Sequence, residues 1–460
     1  MNRGGTTQGM GATGGTDDTI AALATPAGGG AVAVIRISGP AAVAVADRAT
    51  GGRASRAAER RVTLMQLLDG AGAPLDDVLV TRFRAPRSYT GEDVVELACH
   101  GGLLVTRLAL ARLLECGARG ARPGEFTQRA FLNGKLDLTQ AEAVMDLISA
   151  RSRMALRAAR VQLDGRLGRL TEALRAELLE VVVHLEAHID FPDEDIEPAV
   201  GRELAARLAA IIRRIEQLAA TADQGRLLRE GVRTVICGEP NVGKSSLLNQ
   251  LAGRPRAIVH ESASTTRDTI DEPVDVGGVT LLLTDTAGIR PAADAVEREG
   301  VARSREALAT ADLVLEVADA SAAPGWRPAP DELAGRPHLL VLNKCDRGVH
   351  PRWRERGGLA VSCLTGEGLG ALRERVLEVL ALGPGDWGAE AVAVNARHRG
   401  CLRAAAAAAG RAVGLLEGGE GLEYVAVELR EALDEVGAIA GRVDVEEILD
   451  GVFGRFCIGK

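Results

Sequence analysis

The segment Gly238–Ser246, GEPNVGKSS, stands between an apolar run, RTVICG, and a helix-forming run, LLNQLAG. A strand that turns into a helix around two glycines and a lysine leaves few choices of fold. Backbone N–H groups of such a loop can curl around a phosphate, and the helix N-terminus adds partial positive charge. The spacing sets Asn241, Val242, Gly243, Lys244, Ser245 and Ser246 around that anion. Lys244 falls against the β- and γ-phosphates, and the Ser245 hydroxyl is placed to bind Mg²⁺. From Gly231 to Leu382 further apolar runs alternate with helical stretches: VTLLLTD, ADLVLEVAD, HLLVLN and GLAVS. That alternation predicts an α/β sheet with crossover helices.

Three more pieces follow in order. DTAG, comprising Asp285, Thr286, Ala287 and Gly288, ends an apolar strand, so Asp285 can support the Mg²⁺ shell and the Gly288 N–H can meet the γ-phosphate. NKCD, with Asn343, Lys344 and Asp346, ends another. A carboxylate there accepts both N1–H and the 2-amino group of guanine; adenine offers neither donor and would leave the acid buried and unpaired. SCL, comprising Ser362, Cys363 and Leu364, follows the next strand, where a loop can close over the base. Between the first two motifs lies ESASTTRD, in which Thr266 is the candidate second Mg²⁺ ligand. Each piece alone could be a solvated loop. The ordered set implies a GTP hydrolase. Ile289 stands where Ras-like proteins carry a water-orienting glutamine, so another group must do that work.

At 460 residues the chain is too long for one core. A hydrophobic share of 46% with 26% charged residues is globular, and the net charge of −8 argues against a general basic nucleic-acid binder. The seven cysteines (Cys99, Cys116, Cys237, Cys345, Cys363, Cys401, Cys457) contain no C-x-x-C pair, so neither a zinc site nor a disulfide framework is suggested. No apolar stretch is long enough to span a membrane, and the Gly/Thr-rich start lacks a signal-peptide core; a cytoplasmic protein is expected. The expected organisation is a disordered tail over 1–17 and an α+β domain over 18–135. A helical domain follows over 136–230, in which Leu163, Leu167, Leu170, Leu174, Leu178 and Leu185 form one stripe. The inserted Ras-like P-loop domain spans 231–382, and a second helical part, 383–460, ends in FCIGK.

The chain resembles the MnmE (TrmE) family of bacterial and organellar tRNA-modifying GTPases, a branch of the TrmE-Era-EngA-like P-loop GTPases. The resemblance runs from Asp18 to Lys460. It is carried by DTIAALATPAGGG, VIRISGP, SYTGEDVVEL, HGG, RPGEFTQRAFLNGKLDLTQAEAV, IDFPDEDI, STTRD and FCIGK. It implies a multidomain α+β and α/β protein with an N-terminal tetrahydrofolate-binding domain that also dimerises. It implies a homodimer that joins the FAD-dependent partner MnmG (GidA) in a heterotetramer, FAD entering only through that partner. Together they would add an aminomethyl or carboxymethylaminomethyl group to C5 of the wobble uridine of certain tRNAs. Formyltetrahydrofolate or another tetrahydrofolate derivative would supply the carbon.

The same resemblance assigns residues. K⁺ beside the phosphates would be held by Asn241, His260, Ser262 and Thr265, and Glu297 would orient the attacking water. The whole loop of His260, Glu261, Ser262, Ala263, Ser264, Thr265 and Thr266 would line the nucleotide, although HESAST differs from the common form. Folate would meet Arg36, Glu96, Lys135 and the terminal Lys460, with Cys457 close by; Gly29 stands where an arginine is common. A carboxylate suits the amino-amide edge of a pterin, and cations suit a glutamate tail. The competing reading is a regulatory or ribosome-assembly GTPase without covalent RNA chemistry, which the folate constellation disfavours.

Overall fold

Alternation of apolar and polar side chains along short strands builds the first of two sheets. The computed structural model describes residues 18–190, 198–253, 272–285, 307–325, 333, 335–354, 356–383, 392–442, 446–454 and 456–460. The chain divides into two units, Met1–Glu142 with Ala440–Lys460, and Ala143–Ile439.

In the first unit the elements run β1 (Ile20–Leu23), β2 (Val32–Ser38), α1 (Ala42–Ala49), β3 (Thr63–Leu68), β4 (Pro74–Phe83) and β5 (Val94–His100). After them come α2 (Leu103–Glu115), β6 (Arg119–Gly120) and α3 (Glu125–Leu132). The sheet order is β3-β4-β5-β2-β1-β6, antiparallel except for the β1–β6 pair. Because strand side chains alternate, Ile35, Ile37, Leu97, Val78, Val80 and Leu67 all face α1 and α2. The opposite face carries Arg36 directly across from Glu96, and Leu64 across from Leu79. The alanine- and valine-rich run of α1 gives no strong sequence signal, yet its Val45 and Ala46 are fully buried in that core.

Residues 440–460 fold with this unit. Phe453 and Phe456, rings 5.4 Å apart and both buried, anchor the last turn. The tail then bridges Ile458 to Pro123, and the Phe126 N–H donates to the Lys460 carbonyl at 3.1 Å. An N–H of the first turn of α3, which no helix can satisfy internally, is thereby occupied. Gly459 has φ 100°, and a Cβ there would stand 2.0 Å from the Leu23 carbonyl oxygen. Only glycine lets the tail lie so close to β1.

In the second unit α4 (Leu138–Ser149, which begins in the first), α5 (Arg153–Leu163), α6 (Arg166–Asp190), α7 (Pro198–Ala220) and α8 (Ala222–Glu230) precede the second sheet, and the helices Ala396–Gly418 and Leu422–Ala440 follow it. The expected leucine stripe is corrected in two places. Gly165, with φ 77°, ends α5 after Leu163, so the stripe belongs to two helices, and Leu170 is 36% exposed. Leu167, Leu174, Leu178 and Leu185 are buried as the spacing requires. Ala405, Ala408, Ala409 and Ala412 bring the helix Ala396–Gly418 close to Leu208, Ile211 and Ile215 of α7.

The second sheet runs β12-β11-β10-β7-β9-β8. Its strands are β7 (Val232–Cys237), β8 (Glu272–Val276), β9 (Val279–Asp285), β10 (Leu313–Asp319), β11 (His338–Asn343) and β12 (Leu359–Ala360), with α9 (Lys244–Ala252) after β7. Only β8 is antiparallel to its neighbour. Parallel strands point their carboxyl ends to one edge, where a ligand crevice forms. Among the described residues no helix is long and apolar enough to cross a membrane.

Charge is buried in the first unit around Arg129, which contacts Asp18, Glu92 and Glu125. Burial alone would raise the Glu125 carboxyl, but hydrogen bonds from Arg119, the Arg122 N–H and Arg129 hold it below the ordinary glutamate range. A group depressed in the folded state contributes stability above its unfolded pKa and loses it as pH falls through the folded value. Glu125→Gln should therefore cost roughly 3 kcal/mol at neutral pH, since it leaves Arg129 short of a buried partner. The gap from wild type should close as pH drops below about 4. Thermal unfolding of both proteins across that range measures it; a gap independent of pH would remove Glu125 as the acid-sensitive group.

Candidate functional site

The loop between β7 and α9 is shaped by backbone conformation before any ligand arrives. Gly243 has φ 99°, and a Cβ there would stand 2.2 Å from Asn343 Nδ2. Asn241 adopts φ 61°, a left-handed conformation that few non-glycine residues hold. The Lys244 ammonium curls back over the loop and donates to the carbonyls of Gly238 at 3.0 Å and Glu239 at 2.9 Å. Val242 is buried, whereas Ser245 and Ser246 lie exposed on the first turn of α9. A phosphate entering the loop would meet the N–H groups of that turn and the lysine together.

The carboxyl end of β11 supplies the second wall. Asn343 is 2% exposed; its Nδ2 donates to the Val242 carbonyl at 2.8 Å and its Oδ1 accepts from the Cys363 N–H at 3.1 Å. One side chain thus spans the phosphate loop and the loop after β12. Lys344, itself at φ 64°, donates to the Asn241 carbonyl at 2.7 Å and to Asp319 Oδ2 at 2.7 Å. The Ser362 hydroxyl donates to Asp346 Oδ1 at 2.6 Å and accepts from the Thr365 N–H at 3.2 Å. Gln250 of α9 holds the Cys363 carbonyl at 2.8 Å, and Leu364 is 83% exposed at the rim. A carboxylate oriented this way at the mouth of the crevice is the acceptor that the two guanine donors need.

Asn241, Val242, Gly243, Lys244, Asn343, Lys344, Asp346, Ser362 and Cys363 are therefore brought into one cluster. The backbone of Asp285 ends β9 beside Ile236 of β7. His260–Thr266, Thr286–Gly288 and Glu297 lie outside the described residues. Among the described residues no group of three His, Cys, Asp or Glu side chains could hold a metal ion. One serine hydroxyl beside bound phosphates is nonetheless a donor set suited to Mg²⁺, which keeps several waters and takes few protein ligands.

Sequence reasoning missed Asp319 and Gln250. Asp319 carried a signal, a carboxylate ending an apolar strand, as Asp285 does. Burial pushes the Asp319 carboxyl up, but Lys344 and Ser321 hold it below the ordinary aspartate range.

In the first unit Arg36 Nε and Nη2 both reach Glu96 Oε1 at 2.9 Å. The guanidinium lies over the rings of Tyr89 and Phe126, with centroids at 5.2 and 5.6 Å. Phe126 is the residue whose N–H takes the Lys460 carbonyl, so Arg36, Glu96 and Lys460 are joined through one buried aromatic. Lys135, between α3 and α4, donates to the carbonyl of Pro86 on the loop that carries Tyr89, at 3.1 Å. Cys457 is exposed. Tyr89 and Phe126 sat within motifs already singled out, but only strand register and the packing of α3 set them on Arg36. Ser38 and Arg129 both hold Glu92, which braces the loop after β4 behind this cluster.

Known proteins share this sequence over most of its length. The family model described as "MnmE helical domain" matches residues 138–457, and that described as "GTP-binding protein TrmE N-terminus" matches 19–135. The chain is 51% identical to a tRNA modification GTPase MnmE of Akkermansia muciniphila, covering 96% of this chain and 99% of that protein. It is 46% identical to one of Symbiobacterium thermophilum, covering 96% and 100%. A crystal structure of Aquifex aeolicus Era bound to GDP and AlF4⁻ aligns over 38% of this chain and 65% of its own at 25% identity, with a TM-score of 0.26.

Burial pushes the Cys363 thiol up to about 11, so almost no thiolate forms there near neutral pH. Alkylation at about pH 8 should label exposed Cys457 well before Cys363, as read by peptide mass spectrometry. Equal labelling rates would contradict the closed loop drawn by Asn343 and Gln250.

Proposed function

The chain belongs to the family of the tRNA modification GTPase MnmE, and from that premise we propose that it is a K⁺-stimulated GTP hydrolase that modifies the wobble uridine of certain tRNAs. It acts as a homodimer with an FAD-carrying MnmG (GidA) partner in the cytoplasm. Together they attach an aminomethyl or carboxymethylaminomethyl group to C5, with carbon from formyltetrahydrofolate or a related tetrahydrofolate. The observation that carries the nucleotide half is the Asn343 bridge, which sets an acid-bearing base loop and a phosphate loop on one crevice.

Within that reading the chain's residues divide the work. Asp346 selects guanine, and Lys344 lies beside it. Lys244 leaves the Gly238 and Glu239 carbonyls for the β- and γ-phosphates, while Ser245 and Thr266 ligate Mg²⁺. Asn241, with His260, Ser262 and Thr265, holds K⁺. Bound there, these cations supply positive charge against the charge that develops between the phosphates. Ile289 cannot orient water, and Glu297 takes that role. For folate, Glu96 accepts from the pterin edge, Arg36 stacked on Tyr89 and Phe126 stays flat beside it, and Lys135 and Lys460 meet the anionic tail. The docking of the tail on α3 supports this grouping. Cys457 stands near it as a packing residue or a reactive thiol. The domain divisions at 18–135, 136–230, 231–382 and 383–460 remain part of the proposal.

Asp346→Asn should weaken GTP binding by about 2–4 kcal/mol, the scale of a charge-assisted pair that the bound base covers. Unchanged affinity would remove Asp346 as the guanine reader. Hydrolysis should run faster in K⁺ than in Na⁺ at equal ionic strength, and Asn241→Ala should erase that difference. Glu297→Ala should lower turnover by roughly 10²–10⁴ while GTP still binds; stopped-flow rates in the two salts decide among these. Deleting Cys457–Lys460 should abolish wobble-uridine modification, read by mass spectrometry of tRNA, and folate binding, read by calorimetry. GTP hydrolysis should stay near wild type. Intact folate binding after the deletion would take the tail out of that pocket.

A further inference from the structure

Asp319 ends β10 beside Asn343, its register neighbour at the end of β11. Its carboxylate is held on both sides. Oδ1 accepts from the Ser321 N–H at 3.0 Å and from the Ser321 hydroxyl at 2.6 Å, while Oδ2 accepts from Lys344 Nζ at 2.7 Å. With Oδ1 tied to its own turn, the carboxylate cannot follow Lys344, and the lysine must come to it. The same ammonium then donates to the Asn241 carbonyl at 2.7 Å. Both residues at the ends of this link, Asn241 and Lys344, are in the left-handed region, at φ 61° and 64°. For residues with a Cβ that conformation costs on the order of 1 kcal/mol and persists only where neighbours hold it. An ammonium on the Asn241 carbonyl is such a hold, and it fixes the peptide from which the loop's N–H groups lead toward phosphate.

Charge gives a second reason for an acid here. An ammonium bonded to Asn241 stands beside any cation that Asn241 helps to bind, and unless it is neutralised it repels that ion. A serine or asparagine at 319 could accept the hydrogen bond but would leave that charge in place.

We propose that Asp319 is a positioning residue that, through Lys344, couples the guanine-reading loop to Asn241, so that nucleotide affinity and the monovalent-cation response depend on one ion pair. The coupling rests on the assignment of Asn241 to a K⁺ site. Binding of a fluorescent non-hydrolysable GTP analogue, titrated with KCl and separately with NaCl, reads it without turnover. Asp319→Asn should weaken that analogue about tenfold and raise several-fold the KCl concentration at which affinity is half-enhanced. Lys344→Met keeps the aliphatic stem, removes the ammonium, and should shift both quantities in the same direction. The double variant should be no worse than Lys344→Met alone, because the two changes break one link. Melting curves confirm that each protein is folded; if Asp319→Asn is not, Lys344→Met carries the test. A wild-type KCl midpoint in either variant, or full additivity in the double, overturns the coupling. A drop in melting temperature with unchanged nucleotide affinity makes the pair merely structural and overturns it too. If the wild type responds equally to KCl and NaCl, the K⁺ assignment of Asn241 fails, and the nucleotide affinity of Asp319→Asn alone judges the role of Asp319.

Discussion

The side chain of Asn343 makes two hydrogen bonds from a position 2% exposed, and the nucleotide crevice depends on them. Each bond satisfies a backbone group, the Val242 carbonyl or the Cys363 N–H, that would otherwise be left short inside the protein at a cost of roughly 1–3 kcal/mol. Any residue that lacked either the donor or the acceptor would open one loop from the other. Gly243 is part of the same arrangement, since a Cβ there would occupy the space of the Asn343 amide. The phosphate loop and the base loop are thus packed as one object. Parallel strand order makes this possible, because β7, β9, β10 and β11 all deliver their last residues to the same edge.

Around that neutral bridge lies a charged one. Lys344 is shared between Asp319 and the Asn241 carbonyl, and its charge is balanced where it stands. Lys244 lies on the phosphate loop itself, donating to the carbonyls of Gly238 and Glu239.

The first unit uses a different device. Helix α3 is a hub: Arg129 gathers three carboxylates, while Phe126, three residues earlier, lies under Arg36 and donates its N–H to the tail's last carbonyl. Losing Phe126 would cost about 3–5 kcal/mol as a core aromatic. It would also take away the ring beneath the Arg36 guanidinium, while the backbone N–H that holds the tail would remain. Stability and the candidate ligand surface are in this way carried by one short helix.

Much of the second unit was readable from residue type and spacing, because its chemistry is local. A glycine loop between strand and helix, a strand ending in NKCD and a serine after the next strand each follow from chain geometry over a few residues. The runs RTVICG, ADLVLEVAD and HLLVLN likewise became β7, β10 and β11. Periodicity over-reached in the helical segment, where Gly165 breaks one apparent stripe into two helices. What no spacing could show was long-range pairing. Strand register set Arg36 against Glu96, and tertiary packing alone set Phe126 beneath Arg36 and drew Asp319 to Lys344. The terminal FCIGK announced itself by composition, but the need for its glycine appeared only where the Leu23 carbonyl left no room for a Cβ. Sequence encodes what neighbours along the chain can do; contacts between residues hundreds of positions apart exist only once the sheets and α3 have formed.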